Sequence, residues 1–319
     1  MVKPVVAFDI RPDGRAVAVA EADPAPSAGD GFAYRWLHFD VAAPGLREWA
    51  EARLPALAAA TLLQAETRPR CDEIGGGVAL NLRGVNLNPE ARSEDMVSLR
   101  IWAGEGVVVS ARIRRVMTVD ALRQRFEAGE APSDPARLLA AIAEGLTDRM
   151  EAVSLELEER TDALEEAEIG GEVVAPDEVA ALRRAVAMLR RFASPQREAL
   201  ARLTDLETAP MTPEARLLTR EVANRAARNA EALEALRERL AVLQDHIDAR
   251  AAQAMGRNSY VLGVAAAVFL PLGFLTGLFG VNVGGMPGVE DPSAFWWLAG
   301  AMAAIGLGLT AVFRWMRWF

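Results

Sequence analysis

The sequence contains a single cysteine, Cys71, and only two histidines in 319 residues. One cysteine cannot form a disulfide within the chain, which fits a reducing compartment. The first ten residues contain no apolar run followed by a cleavage site, so we predict no signal peptide. The two histidines, His38 and His246, are far from Cys71 and from each other in sequence. These three residues therefore lack the spacing of a tight tetrahedral zinc site, and a structural role is expected for both histidines.

Positive charge is also scarce. The chain has 35 lysines and arginines against 44 aspartates and glutamates, which gives a net charge of -9 with histidine neutral. A nucleic-acid partner would need a basic surface to meet its phosphates, so this balance argues against one. An acidic surface concentrates cations, but an ordinary soluble domain can have the same balance. No nucleophile–base pattern, phosphate-binding loop or metal-ligand spacing is present, and we expect no enzyme.

Residues 1–130 alternate short β-type runs with helical ones, which predicts an α+β cytoplasmic domain. The turn at residues 103–106 predicts a hairpin between the last two strands. Helices are predicted at Leu46–Gln64, with a break at Pro55, and at Asp120–Ala128. The predicted strands are Val5–Ile10, Ala16–Ala22, Tyr34–Val41, Gly75–Leu87, Met96–Trp102 and Val107–Arg114.

Residues 131–258 change in character to long helices, which predicts a helical hairpin and a stalk. The first helix is predicted at Arg137–Ile169 and the second at Pro176–Leu206. Because proline removes a helical hydrogen bond, Pro195 should kink or divide the second helix. Thr212 is the expected N-cap of a third helix.

The third helix has no clear stop between Glu214 and Gly280, although Pro271 lies in its apolar part. At 1.5 Å per residue such a helix would be about 100 Å long. A membrane needs roughly 30 Å of that length, so the rest is predicted to be a stalk. An apolar seam with alternating spacings of four and three predicts side-by-side helix packing, within or between subunits. The seam consists of Val222, Ala226, the polar Asn229, Leu233, Leu236, Leu240, Leu243 and Ile247.

The first two long helices differ in charge. Eleven acidic residues lie between Glu144 and Glu172, against two arginines. The second helix instead carries six arginines between Glu178 and Leu203. This contrast indicates either a surface that attracts cations or two helices that pair as an antiparallel hairpin.

Two C-terminal stretches without charge, Ser259–Phe279 and Phe295–Phe313, are long enough to span a bilayer. Arginines lie before the first stretch and after the second, whereas the loop between them holds only acidic charge. The positive-inside rule therefore predicts both termini in the cytoplasm and the loop outside. Within a transmembrane domain at residues 259–319, the predicted parts are a first span at 259–280, a loop at 281–294, a second span at 295–313 and a tail at 314–319.

Two helices cannot surround a water-filled path, so any polar path would need several copies of the chain. Small residues recur at a spacing of four on both spans, which favours close helix contact with or without transport. They are Gly273 and Gly277 on the first span, and Gly300, Ala304 and Gly308 on the second.

The stretch from Phe269 to Gly288 resembles the CorA superfamily of divalent metal-ion transporters, whose first span ends in a Gly-Met-Asn signature. Here the signature is Gly280-Val281-Asn282, followed by Gly-Gly-Met-Pro at residues 284–287. This variant is similar to the ZntB zinc-transporter branch. The resemblance extends upstream through residues 82–88 and 94–100 and through the stalk, so it covers most of the chain.

The resemblance implies a funnel-shaped homopentamer in the inner membrane, with the first span of each subunit lining a pore. Gly280, Val281 and Asn282 would form the outer mouth, where a hydrated ion binds transiently at Asn282. The transported ion would be Zn²⁺, and no bound cofactor is expected. The pore-lining positions would be Ser259, Leu262, Ala266, Leu270, Gly273 and Gly277.

A ring of asparagine amides offers dipoles without formal charge, which can hold a hydrated dication without trapping it. Where magnesium-transporting relatives carry an acid in the outer loop, this chain has Gly288, and acids appear only at Glu290 and Asp291. This departure favours zinc, with a magnesium or cobalt channel as the alternative. A membrane-tethered scaffold is the alternative from another class. Neither span contains a titratable group, so proton coupling would need a group elsewhere, and a passive gated path is simpler.

Overall fold

A computed structural model describes residues 2–19, 31–206, 212–280, 288 and 290–315. Contacts divide the chain into two compact units, Met1–Gln244 and Asp245–Phe319. The first unit contains a sheet and several helices, and the second consists of the end of a long helix and one further helix.

The first unit is built on a seven-stranded sheet with the order β2-β1-β3-β7-β6-β5-β4. Neighbouring strands are antiparallel except β3 and β7, which run parallel with Trp36 opposite Val108. Consecutive residues of the central strands are buried on opposite faces, so the sheet has a core on each side. The strands are β1 (Val6–Ile10), β2 (Ala16–Ala18), β3 (Tyr34–Asp40), β4 (Arg70–Ile74), β5 (Gly77–Gly84), β6 (Val97–Gly104) and β7 (Val107–Arg112).

Helices cover both faces of this sheet. Two short helices, α1 (Leu46–Arg53) and α2 (Ala56–Leu63), pack on one face, and Pro55 separates them as predicted. The other face is covered by α3 (Met117–Glu127) and by parts of α4 (Pro135–Ile169), α5 (Pro176–Asp205) and α6 (Pro213–Gly280). The predicted α+β class with long helices and a two-helix apolar C-terminus is confirmed.

One predicted strand was wrong in its extent. The run Gly75–Leu87 contains β5, but its first two residues, Gly75 and Gly76, form the turn that joins β5 to the unpredicted strand β4. Both glycines have positive φ angles of 61° and 76°, which an L side chain rarely adopts. Strand β4 has charged residues at three of its five positions and lies at the sheet edge, so it lacks an alternating apolar pattern.

Pro195 does not divide α5, which is continuous from Pro176 to Asp205. Packing accounts for this result. Pro195 and Gln196 are buried, and the Gln196 side-chain oxygen accepts a 2.7 Å hydrogen bond from the backbone amide of Arg83 on β5. These contacts hold the turn that lacks one helical hydrogen bond. The predicted cap of α6 is present, since Thr212 Oγ1 accepts from the amide of Ala215 at 3.2 Å.

The apolar seam packs within the chain. Its residues from Val222 to Leu243 are buried, and Asn229 accepts a 2.9 Å hydrogen bond from Ser154 Oγ of α4. The acidic helix α4 forms ion pairs with α6. Arg225 pairs with Asp148 and Glu151, and two heptads further on Arg239 pairs with the equivalent two acids of α4. The two helices therefore run in the same direction.

Candidate functional site

The second unit carries two helices that are long and apolar enough to cross a membrane. They are the end of α6 and α7 (Ala294–Trp315). Within the described residues of this unit the large apolar side chains are mostly exposed. In the first unit, by contrast, Leu233 and Leu240 of the same helix are buried. Exposed apolar surface of this extent needs lipid or another protein surface to cover it.

One face of α6 is half-covered, and we assign this face to contact with α7, the other helix of this unit. The half-covered residues of α6 in this unit recur at spacings of three and four, so they form one stripe. Branched and aliphatic side chains dominate this stripe, but in a span that is apolar all round they give no distinct sequence signal. The stripe consists of Val264, Ala267, Val268, Pro271, Leu272 and Leu275, and its counterparts on α7 are Ala294, Leu298, Ala299, Met302, Gly306, Leu309 and the buried Phe313.

The residues predicted to line a pore lie on a different face. At 3.6 residues per turn, this second stripe lies nearly opposite the one that packs on α7. Leu262 and Leu270 are each 71% exposed, and a Cβ added at Gly273 or Gly277 would meet nothing within 4 Å. The chain by itself therefore leaves this whole face uncovered. The exposed residues are Ser259, Leu262, Ala266, Leu270, Gly273 and Gly277.

The small residues do not mediate contact between α6 and α7. Gly300 and Gly308 have no atom within 4 Å of an added Cβ, like the two glycines of α6, and Ala304 is exposed. Larger side chains such as Met302 and Leu309 occupy the contact instead. Close approach through these glycines is thus absent among the described residues of the chain.

The threonine side chains of the two spans are satisfied by their own helices. Thr276 Oγ1 donates to the carbonyl of Gly273 at 3.0 Å, and Thr310 Oγ1 donates to the carbonyl of Gly306 at 2.8 Å. Such bonds remove the cost of a free hydroxyl in lipid.

The described part of α6 extends to Gly280. Val281 and Asn282 lie outside the described residues. Glu290 is exposed. Asp291 lies just before the start of α7, and its Oδ1 accepts hydrogen bonds from the amide of Ser293 at 2.9 Å and from the Ser293 hydroxyl at 2.7 Å. These two bonds, the backbone one first, lower the pKa of Asp291, so the side chain has a capping role and stays ionised.

His38 and Cys71 of the first unit are of residue types that bind zinc, but both are buried in the fold. His38 is fully buried on β3, where its Nδ1 lies 2.9 Å from Ser110 Oγ. Burial, assisted by Arg112, lowers the pKa of His38 to about 3. Burial also raises the pKa of the Cys71 thiol to about 12, with a further contribution from Asp72. In the part of the chain that the structure describes, no three His, Cys, Asp or Glu residues come together as a metal site.

A soluble domain, long helices and two apolar helices, one with an uncovered face, define a membrane transport protein of the two-span type. The family model described as "CorA-like Mg2+ transporter protein" matches residues 32–315, and the chain belongs to this family. It is 38% identical over 293 residues to the divalent cation transporter CmaX of Pseudomonas aeruginosa, covering 89% of this chain and 87% of that protein.

Two further comparisons agree with this assignment. The chain is 34% identical over 262 residues to the zinc transport protein ZntB of Pectobacterium atrosepticum, covering 82% of this chain and 80% of that protein. The structure of full-length CmaX superposes with a TM-score of 0.85 at 34% identity, covering 99% of this chain and 98% of that one. The protein is thus a divalent-cation transporter of the CorA family and not an enzyme.

Proposed function

We propose that the protein moves Zn²⁺ across the inner membrane along a central path that is enclosed by five copies of α6. The observation that carries this proposal is the uncovered face of α6 that lies opposite its contact with α7. A face that is left exposed by the chain's own second span is available to other copies and to a water-filled path. The similarity to a ZntB zinc transport protein supports zinc as the ion.

The inner part of this path is apolar. Leu262 and Leu270 of each subunit would form rings, and a narrow apolar ring resists ion passage by dewetting. The outer mouth would consist of Gly280, Val281 and Asn282, where asparagine carbonyl dipoles hold the ion through its water shell. Because no resident metal ligand is required, the ion leaves as readily as it enters.

The proposed orientation follows from charge. Arg250 and Arg257 precede the first span and Arg314 follows the second, whereas Glu290 and Asp291 lie in the loop. We place both termini in the cytoplasm and the loop outside. The proposed domains are those predicted above, with boundaries at residues 130 and 258.

Zinc uptake coupled to protons would need a titratable group on the path. Neither span contains Asp, Glu, His, Lys or Arg. The loop acids and the cytoplasmic domain are the remaining places for such a group. A passive path that opens and closes is the simpler mechanism.

Flux of Zn²⁺ into proteoliposomes that contain the purified full chain tests the proposal. Leu270→Ser should raise passive Zn²⁺ leak, because it places a hydroxyl on the uncovered face. Leu272→Ser is the matched control, since Leu272 lies on the face that packs on α7. Equal flux in the two variants, with assembly intact, would contradict the assignment of the pore face.

The outer mouth is tested with two substitutions of Asn282. Asn282→Gly removes the amide and keeps a backbone that can end a helix. Asn282→Asp places up to five charges at the mouth, which should bind dications tightly and slow their release. Unaltered flux and selectivity in a pentameric Asn282→Gly protein would end the filter hypothesis.

A magnesium or cobalt channel is the second candidate, because the family model is described by Mg²⁺. The same proteoliposomes separate the two when Zn²⁺ and Mg²⁺ fluxes are compared at equal concentration. Transport of Mg²⁺ without Zn²⁺ would decide for the second candidate, and the absence of both would leave the scaffold.

A further inference from the structure

A cleft with a volume of about 810 Å³ opens in the first unit. Its walls come from the loop after α2, from β5 and β6, from the segment after β7 and from α5. This volume lies within the usual range of small-molecule sites. Met188 and Phe192 contribute apolar side chains to its lining, which also includes three acids and four arginines: Arg68, Arg83, Arg114 and Arg191.

Two arginines, Arg83 in the cleft lining and Arg100 next to the same loop, are held in place by neutral groups. Arg83 donates to the carbonyls of Thr67, at 2.6 Å, and Met96, at 3.2 Å. Behind it, Arg100 is fully buried and donates to two further carbonyls of the same loop, each at 2.8 Å, and to a serine hydroxyl. Among the described residues, no ion pair with a carboxylate is formed by either guanidinium, although Glu66 is near enough to offset part of the charge of Arg83.

A third guanidinium adds to this charge. Arg83 and Arg191 lie 4.5 Å and 5.4 Å from the centre of the same ring, that of Phe192. Burial and the neighbouring Arg191 lower the pKa of Arg83, while burial and Arg83 lower the pKa of Arg100 to about 10. The positive charges of Arg83, Arg100 and Arg191 repel one another, and an anion in the cleft would relieve that repulsion.

A buried hydroxyl at the cleft has no partner. Thr67 lines the cleft and is 7% exposed, and its Oγ1 has no hydrogen-bond partner in the structure. A buried hydroxyl without a partner is unfavourable, because its hydrogen bonds to water are lost on folding. An acceptor oxygen of a ligand in the cleft would satisfy it.

We propose that this cleft binds a small phosphate-bearing anion, with Arg191, Arg68 and Thr67 as its ligands. Three acids, Glu66, Glu94 and Asp95, also line the cleft, but the four lining arginines and Arg100 outnumber them. Arginine suits this chemistry, because its planar donors match the oxygens of a phosphate group. The wall of Met188 and Phe192 gives room for an organic group beside the phosphate.

Calorimetry on the full chain in detergent, in metal-free buffer at low salt, tests this site with two probes. Pyrophosphate and ATP share the phosphate chemistry and differ in the organic group. Equal affinity for both means that the phosphates alone are recognised, and tighter binding of ATP adds the apolar wall. The proposal is overturned if neither probe binds at millimolar concentration.

Two variants locate the site. Arg191→Gln should weaken binding about tenfold, the usual effect of losing one hydrogen bond to a charged group. Arg184→Gln is the matched control, because Arg184 is also an exposed arginine of α5 but does not line the cleft. If Arg184→Gln weakens binding as much as Arg191→Gln, the effect is one of general charge and the site is wrong.

Thr67→Val separates a ligand contact from a structural role. Loss of an unpartnered hydroxyl should leave the unfolding temperature unchanged or raise it, while probe affinity falls severalfold. Unchanged affinity in both Thr67→Val and Arg191→Gln would refute the site. An altered oligomeric state of Arg191→Gln without a change in affinity would instead make the cleft a contact between subunits. Binding is measured without ion flux, so failure here leaves the transport proposal untouched.

Discussion

Leucines occur in both parts of helix α6, but their surroundings differ. In the first unit, Leu233 and Leu240 are 0% exposed, because α4 and α5 cover them. In the second unit, Leu262 and Leu270 are each 71% exposed, and only the stripe facing α7 is half-covered. A leucine is therefore part of the core in one part of the helix. In the other part it is left exposed, and lipid or another subunit is needed to cover it.

The largest effect is expected when a leucine is replaced by alanine in each of the two parts of α6. Leu233→Ala leaves a cavity in a packed core and should lower the free energy of unfolding by about 2–5 kcal/mol. Leu262→Ala removes a side chain that the chain itself does not cover, so the change should stay within about 0.5 kcal/mol. Thermal unfolding of the full chain in detergent measures both. Equal losses would mean that Leu262 is buried against something as firmly as Leu233.

Acid should also affect the first unit in particular, because His38 is a fully buried titratable group there. The ordinary pKa of histidine is 6.5, and that of His38 in the fold is about 3. As pH falls below 6.5 the unfolded chain binds a proton that the folded chain does not, so stability is lost between pH 6.5 and about 3. At pH 4.5 the loss should be about 2–3 kcal/mol.

The control for this pH dependence is His38→Asn, which keeps a hydrogen-bonding group near Ser110 and does not titrate. Unfolding free energies of both proteins are compared from pH 7 to pH 4.5. The wild type should lose more stability than the variant over that range. Parallel curves would show that His38 does not carry the loss.

A smaller effect is expected where α4 and α6 share a buried polar contact. Ser154→Ala removes the donor to Asn229, whose side-chain nitrogen already has no partner in the structure, and should cost about 1 kcal/mol. Adding Asn229→Leu should restore most of that loss, because both polar groups are then replaced. If the double variant is less stable than the single one, Asn229 contributes through another contact.

Much of the fold was predictable because the relevant patterns are local. The seam from Val222 to Leu243 has the period of a helix pair, and the two uncharged stretches have the length of a bilayer. Strand β4 was missed, since its position is set by pairing with β5 rather than by its own polar sequence. Pro195 was expected to interrupt α5, but contacts distant in sequence hold that turn.

The candidate site was less predictable, because a local sequence pattern does not show which helix or subunit a given face contacts. The seam could have joined two subunits, but the bond between Ser154 and Asn229 and the ion pairs of Arg225 and Arg239 with α4 place it within the chain. The glycine spacing indicated close helix contact, but an added Cβ at Gly273 or Gly300 meets nothing within 4 Å in the chain itself. The stripe of α6 that packs on α7 had no distinct signal, because every face of an apolar span is apolar.

The smallest expected effect concerns Asp291, which lies just before α7 in the second unit. Two roles are available to its carboxylate, a cap for α7 and a charge that attracts cations at the proposed mouth. Asp291→Asn keeps an oxygen that accepts from the Ser293 amide and removes the charge. Asp291→Ala removes both, so the Ser293 amide should exchange its hydrogen severalfold faster in this variant only.

Ion flux separates the two roles of Asp291. A capping role alone predicts wild-type Zn²⁺ flux in Asp291→Asn, because the helix start is unchanged. An electrostatic role predicts reduced flux in Asp291→Asn, most clearly at low ionic strength, where surface charges are least screened. The lowered pKa of Asp291 keeps the charge at all but strongly acid pH, so this contrast should persist across the neutral range. A flux difference that is unaffected by salt would rule out attraction of the ion, and would point to a change in the path itself.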